Sequence, residues 1–224
     1  MLDRLHLCVI TDPSLAGRDH VAIAAAALDG GADMIQLRDK SGDLRALLPQ
    51  ARAIQALCRV HGAIFIVNDR LDLALAAGAD GAHVGQDDLP PVAARRLLGP
   101  GKILGVSTHD RAQAEAACGA GADYIGFGPM FPTGTKDTGY TPRGLVGLRE
   151  VRAAVGLPIL AIGGITLETA ADVIAAGATA PAVMSAIIAA PDIAGTAAAF
   201  RARVAGAKGL EGSRKDPDKG PRIA

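Results

Sequence analysis

Tryptophan is absent from this chain, and aromatic residues make up only 3% of it. That argues against the aromatic platforms on which single-stranded nucleic acids stack. Neither sign of charge is in excess. The 23 Lys and Arg offset 23 Asp and Glu, for a formal net charge of zero. A general nucleic-acid or anionic-membrane surface therefore has no support, and any anion site has to be local. Cysteine is scarce and odd in number. Cys8, Cys58 and Cys118 each lie in an apolar segment, with no Cys-x-x-Cys pair. This pattern points to buried, reduced thiols in a cytoplasmic protein rather than to a disulfide framework or a catalytic thiol. No apolar run reaches about 18 residues without a charge or a turn, so no membrane span is expected. Residues 1–12 lack the basic-then-apolar order of a signal peptide.

What the chain does have is aliphatic bulk. Half of its 224 residues are hydrophobic and 28 are glycine. That suits one large domain with a full core and close helix–sheet packing. A phrase recurs: Gly30-Gly31-Ala32-Asp33, Ala77-Gly78-Ala79-Asp80, Gly119-Ala120-Gly121-Ala122-Asp123 and Ala176-Gly177-Ala178-Thr179. Each precedes a short apolar run, and the phrase returns roughly every fifty residues. A glycine that ends a helix in the left-handed conformation, followed at once by a strand, accounts for it. Four more apolar runs, at 5–10, 63–67, 103–106 and 158–161, interleave with these joints. Helices are predicted between them at 21–29, 44–60, 71–77, 91–98, 111–118, 145–155, 167–175 and 193–204. Eight β/α units predict an α/β fold, a single-domain (β/α)8 TIM barrel over residues 1–207. A doubly wound open sheet is the alternative. It is weakened because Thr11-Asp12-Pro13 stands where a Gly-x-Gly-x-x-Gly turn would follow the first strand. Residues 208–224 are polar and rich in Gly and Pro, and are expected to be a disordered tail.

In a barrel, function gathers where the strands end. The central stretch is 64–88, a strand–helix–strand unit in which Asp69 and Asp88 both follow strand ends. Two convergent carboxylates suit Mg²⁺, a hard cation completed by phosphate oxygens and water. The alternative is a helix-capping Asp69 and a loop-starting Asp88. Gln36, Arg38 and Lys40 fall on one side of the second strand if it persists that far, as an anion clamp or as a solvated loop. Ser107 or Thr108 follows the fifth strand. His109 reads as a surface residue and His83 as a packed barrel histidine, in preference to general bases. The loop 126–137 carries Thr133-Gly134-Thr135-Lys136, with hydroxyls, backbone N–H groups and an ammonium suited to phosphate. Gly163-Gly164 after strand seven and Ser185 after strand eight fit a barrel phosphate site, or tight packing alone. Two anion centres result. One, with Arg38, Lys40, Lys136 and Mg²⁺, suits a diphosphate. The other suits a monophosphate.

Taken in order, Ile10-Thr11-Asp12, Gln36 to Lys40, Asn68-Asp69-Arg70, His83 to Asp88, Gly105 to His109, Gly128 to Lys136, Ala161 to Ile165 and Met184 to Ile187 resemble the thiamine-phosphate synthase family. The match spans residues 5–204. The resemblance implies a Mg²⁺-dependent transferase of thiamine biosynthesis. It would condense 4-amino-5-hydroxymethyl-2-methylpyrimidine diphosphate with hydroxyethylthiazole phosphate, giving thiamine monophosphate and diphosphate. It assigns Gln36, Leu37, Arg38, Asp39, Lys40, Asn68, Ser107 and Lys136 to the pyrimidine diphosphate, with Arg38, Lys40 and Lys136 catalytic. It assigns Asp69 and Asp88 to the metal, and Thr133, Gly134, Thr135, Gly164, Met184 and Ser185 to the thiazole phosphate. The expected partners are small molecules, with no nucleic acid and no membrane, and a homo-oligomer stays open. Asp39 stands where the family often has Glu. Thr179 replaces the Asp of the fourth joint, and Pro181 enters strand eight, beside the phosphate turn. A thiazole tautomerase, a related barrel needing a proton shuttle, and a non-catalytic phosphate-binding barrel are the rival readings.

Overall fold

The computed structural model describes residues 2–40, 42–134 and 139–214, with side chains described as far as residue 209. Eight parallel strands close into one barrel in chain order: β1 (Cys8–Thr11), β2 (Met34–Leu37), β3 (Ile64–Asn68), β4 (Gly81–Val84), β5 (Ile103–Thr108), β6 (Tyr124–Phe127), β7 (Ile159–Ile162) and β8 (Ala180–Val183). Around them lie α1 (Pro13–Ala16), α2 (His20–Asp29), α3 (Leu44–His61), α4 (Leu71–Ala77), α5 (Pro91–Leu98), α6 (Arg111–Gly119), α7 (Gly144–Ala154), α8 (Ala170–Ala175), α9 (Ser185–Ile188) and α10 (Ile193–Arg214). The expected (β/α)8 barrel is the fold.

Several boundaries differ from expectation, among them β1 at Cys8–Thr11 and the added short helix α9, and three of the differences have a readable cause. α8 starts at Ala170 instead of 167 because Thr169 Oγ1 accepts the Thr166 N–H at 3.0 Å and holds 166–169 as a turn. α1 is an additional short helix, nucleated by Asp12 as N-cap with Pro13 in the first turn. α10 runs ten residues beyond 204, so the first part of the expected tail is helical. Glycines at 206 and 209 each disfavour a helix interior by about 1 kcal/mol. Docking offsets that cost: Val204 is fully buried and the Lys208 ammonium donates to the Leu5 carbonyl.

The recurring phrase does two jobs. Its glycine takes positive φ, at 84° in Gly31, 70° in Gly78, 83° in Gly121 and 105° in Gly177. The next residue then donates back into the helix, as Ala32 does to the Ala27 carbonyl and Ala79 to the Ala74 carbonyl. This is the double closure that stops a helix without leaving its carbonyls bare. The aspartate that follows ties down the neighbouring strand. Asp33 Oδ2 accepts the N–H of His6 and of Leu7, Asp80 Oδ2 that of Phe65, and Asp123 Oδ2 that of Leu104. At the fourth joint Thr179 Oγ1 accepts the Ile159 N–H at 3.1 Å, so the hydroxyl takes the place of the carboxylate.

Apolar residues form two cores. The larger lies between sheet and helices. The smaller fills the barrel with Leu5, Cys8, Ile10, Met34, Ile64, Ile66, Tyr124, Leu160, Ala180 and Ala182. Room for its large members comes from glycine. A Cβ on Gly105 would sit 2.2 Å from Tyr124 Cζ and 2.4 Å from His83 Nδ1. Pro181 sits second in β8, paired with Ala161 of β7. The β1–β8 seam holds two residue pairs where β1–β2 holds four. A residue without an N–H is tolerated where the ladder is short.

Candidate active site

The strands' C-terminal ends surround a cavity of about 140 Å³. Ile10, Leu160, Ile162 and Ala182 give it apolar walls. Gln36, Arg38, Asn68, Asp69, Asp88, Ser107 and Thr133 bring polar groups to it, and Met184 lines it as well. The fold thus gathers, from six different strand ends, eight of the residues singled out in the sequence. A recess of about 50 Å³ adjoins it, lined by Thr133, Gly163, Gly164, Met184 and Ser185. The expected monophosphate turn therefore opens beside the main cavity and shares Thr133, Gly163 and Met184 with it.

Three residues of the 36–40 clamp do not line the cavity. Leu37 is 1% exposed and packs in the outer core, because alternation along β2 turns it away from the barrel axis. β2 ends at Leu37, so alternation does not carry as far as Lys40, which is exposed. Asp39 pairs instead with His20, Oδ2 lying 3.1 Å from Nε2. Gly134 is exposed and lines neither cavity nor recess. Thr135 and Lys136 lie outside the described residues.

Asp69 has φ of +62°, and among the described residues it is the non-glycine residue with positive φ. Such a conformation costs a non-glycine residue about 1 kcal/mol or more, and strain of this kind collects at functional sites. Its N–H donates to the His83 carbonyl at 2.7 Å, which fixes the turn after β3 against β4. Asp88 is held by the N–H of Gly85, which donates to Oδ2 at 2.7 Å. Among the described residues no three His, Cys, Asp or Glu gather as a metal cage. A pair of carboxylates at an open cavity is the donor set that suits Mg²⁺, since Mg²⁺ keeps waters and takes phosphate oxygens.

A buried polar network crosses the barrel beneath these groups. His83, 6% exposed, contacts the Tyr124 hydroxyl through Nδ1 at 3.0 Å and the Ser107 hydroxyl through Nε2 at 2.9 Å. Gln36 hydrogen-bonds Tyr124 from the other side. Burial pushes the Tyr124 hydroxyl well above the usual phenol range, and nearby Cys8 adds to the effect. Tyr124 therefore stays a neutral donor and acceptor at any working pH. The expectation of a packed barrel histidine holds for His83, and Ser107 is pinned by it. Gln86 adds a hydrogen bond to the Ser107 carbonyl at 2.6 Å.

Arg38 is 9% exposed and donates from Nη1 to Asp12 Oδ2 at 2.7 Å. A buried guanidinium needs such a counter-charge. Gly163 and Gly164 allow tight packing as well as a turn. A Cβ on Gly164 would meet the Pro132 carbonyl at 2.6 Å, and the Phe131 N–H donates to the Gly163 carbonyl at 3.0 Å. The loop after β6 is thus laid against the end of β7. Its return limb is held by Tyr140, whose ring stacks on His109 at 3.7 Å between centroids and lies under the Arg143 guanidinium, 5.4 Å from the Tyr140 centroid. His109 lines the cavity and bonds the Gly128 carbonyl at 2.6 Å, so it is built into the site's wall. Burial raises Cys8 and Cys58 from an ordinary thiol value to about 12 in each case, consistent with inert thiols.

Sequence reasoning missed Asp12, His20, Tyr124 and Tyr140. Asp12 carried a readable signal, since it follows β1 as Asp69 follows β3. Tyr124 could have been placed inward from its two-residue spacing to Gly126. His20 and Tyr140 had no local signal, because their partners lie 19 and 31 positions away.

Among the described residues no helix is long and apolar enough to cross a membrane. A family profile described as thiamine monophosphate synthase matches residues 7–187. A thiamine-phosphate synthase of Methanoculleus marisnigri is 50% identical over 203 residues, covering 90% of this chain and 96% of that protein. One from Moorella thermoacetica is 52% identical over 201 residues, covering 90% and 96%. The solved thiamine phosphate pyrophosphorylase of Pyrococcus furiosus superposes with a TM-score of 0.85 at 36% identity, covering 92% of this chain and 98% of that one. Fold, mouth residues and both kinds of relative agree, and the chain belongs to the thiamine monophosphate synthase family.

Proposed function

We propose that the mouth cavity is where this thiamine-phosphate synthase, a transferase, joins 4-amino-5-hydroxymethyl-2-methylpyrimidine diphosphate to hydroxyethylthiazole phosphate. The observation that carries the reading is the meeting of Arg38, Asn68, Asp69, Asp88, Ser107 and Thr133 at one cavity with apolar walls. In the reaction the thiazole nitrogen gives its electron pair to the pyrimidine methylene carbon. The bond from that carbon to the diphosphate oxygen breaks, and diphosphate leaves with the bonding pair. A neutral ring nitrogen needs no general base, so the demand falls on the leaving group.

Arg38 offers a guanidinium to the departing diphosphate, and Lys40 and Lys136 are assigned further positive charge by the family pattern. Asp69 and Asp88 would hold Mg²⁺, which when bound supplies positive charge to the diphosphate oxygens. Asn68, Gln36 and Ser107 present amide and hydroxyl groups to the aminopyrimidine edge. Leu37 and Asp39 act by fixing Arg38 between them, one in the core and one on His20. Thr133, Gly134, Thr135, Gly164, Met184 and Ser185 are assigned to the thiazole phosphate, a reading supported by the recess that four of them, Thr133, Gly164, Met184 and Ser185, line. A tautomerase would need a base with a free nitrogen at the substrate. His83 has one ring nitrogen on Tyr124 and the other on Ser107, which favours the synthase. A cytoplasmic location fits the three free thiols, Cys8 and Cys58 buried and Cys118 half-buried.

The test is diphosphate release by the purified protein with Mg²⁺ and each substrate alone or both together, with the product weighed by mass spectrometry. Release that requires both substrates, with the mass of thiamine monophosphate, is the expected result. Conversion of a thiazole phosphate tautomer without diphosphate release would move the assignment to the tautomerase.

A further inference from the structure

Behind the cavity wall stands a second tier of polar groups, Asp12 and His20, that do not line the cavity. Asp12 is 9% exposed and is not among the residues lining the cavity, whereas its partner Arg38 is. The carboxylate therefore lies behind the guanidinium as seen from the cavity. Its Oδ1 accepts from the Ser14 N–H at 3.1 Å and from the Ser14 hydroxyl at 2.5 Å, which leaves Oδ2 aimed at Arg38. His20 is 2% exposed at the start of α2. Its Nδ1 is 2.7 Å from the Thr11 hydroxyl and its Nε2 is 3.1 Å from Asp39 Oδ2. Residues 38 and 39 come directly after the last ladder pair, Thr11 with Leu37. Both are thus gripped by side chains of the segment that follows β1, at the point where backbone pairing stops.

We propose that Asp12 and His20 are positioning residues, a two-point clasp that holds the Arg38 guanidinium toward the leaving diphosphate. The inference rests on the synthase reading above. A free arginine side chain samples many rotamers and loses that freedom when it binds an anion. The clasp removes the freedom before substrate arrives. Asp12 engages one of the five N–H donors that a guanidinium carries and leaves the others for phosphate oxygens. His20 fixes the residue after Arg38, so the backbone beyond β2 cannot swing the guanidinium away. The aspartate at 39, where the family often has glutamate, thereby has a partner. Orientation of this kind acts on the transition state more than on ground-state binding.

The test is a double-mutant cycle on the full chain. Asp12→Asn and His20→Ala are each made alone and in an Arg38→Ala background, and kcat and KM are measured for both substrates with Mg²⁺. Each single change is expected to lower kcat about 10- to 100-fold. KM for the thiazole phosphate is expected to stay within about 2-fold, because its recess lies elsewhere. In the Arg38→Ala background neither change should cost more than about 2-fold further, since each acts through Arg38. Equal losses in both backgrounds would overturn the clasp and leave Asp12 and His20 as fold-stabilising residues. Wild-type protein that makes no thiamine monophosphate would overturn the synthase reading and the clasp with it. If one variant fails to fold, the other completes the same cycle.

Discussion

Carboxylates sit at both ends of this barrel, and the two sets differ in what they touch. At the floor, Asp33, Asp80 and Asp123 each accept backbone N–H groups at the start of a neighbouring strand. At the mouth, Asp69 and Asp88 line the cavity, and Asp12 backs its arginine. The floor carboxylates complete backbone hydrogen bonding where the ladder has not yet begun. At the mouth, the Gly85 N–H holds Asp88 and the Ser14 N–H holds Asp12, while Asp69 is fixed through its own N–H on the His83 carbonyl; Asp69 and Asp88 carry charge into a site. Asp69 even adopts a left-handed backbone conformation to do so. One residue type, repeated by one architecture, serves folding at one end and chemistry at the other.

The comparison is sharpened by substitutions, and the largest effect belongs to the mouth. Asp88→Asn should lower kcat by about 100-fold or more while the urea midpoint moves little, checked by diphosphate release and equilibrium unfolding. At the floor the pattern reverses. Asp80→Ala leaves the Phe65 N–H without its partner and should destabilise the fold by about 1–3 kcal/mol, with kcat of the folded protein within about 2-fold of wild type.

A third prediction concerns the barrel interior between these ends. Cys8 ionises near 9 in an unfolded chain and at about 12 in the fold, because burial disfavours the thiolate. Between those values the unfolded chain has released a proton that the folded chain retains, so stability falls as pH rises above about 9. At pH 10 the share of this thiol is about 1 kcal/mol, and Cys8→Ala should remove that share from the alkaline slope of urea stability. The smallest effect is at the fourth joint. Thr179→Val removes the hydroxyl that accepts the Ile159 N–H and should cost about 0.5–1 kcal/mol, whereas Thr179→Ser should lie closer to wild type.

The floor was half legible in the sequence. The glycines of the recurring phrase announced helix ends, and the structure gives all four positive φ. The job of the aspartates that follow was not legible, because an acceptor for Phe65 placed at residue 80 is a contact between strands. For the same reason Thr179 read as a departure, although its hydroxyl fills the same position. At the mouth, Asp69, Asp88, Asn68 and Ser107 were legible because parallel strands bring their C-terminal ends together. Lys40 was placed by an alternation that required β2 to continue, and β2 ends at Leu37. Asp12 and His20 act through residues 26 and 19 positions away, and no local pattern encodes that. The continuation of α10 was hidden by glycines and polar residues, whose weak helix preference is outweighed by docking at Val204 and Lys208.

The measurement that tests the contrast most directly is the Mg²⁺ dependence of two-substrate diphosphate release in Asp69→Asn and Asp80→Ala, with urea unfolding of both. Asparagine tolerates the left-handed conformation at position 69, so the change there is one of charge. The account predicts that Asp69→Asn needs at least about 10-fold more Mg²⁺ for half-maximal release and unfolds as wild type does. It predicts that Asp80→Ala, which leaves the Phe65 N–H without its acceptor, keeps the wild-type Mg²⁺ dependence and unfolds at lower urea. An unchanged Mg²⁺ requirement in Asp69→Asn, or a shifted one in Asp80→Ala, would contradict the division of labour between the barrel's two ends.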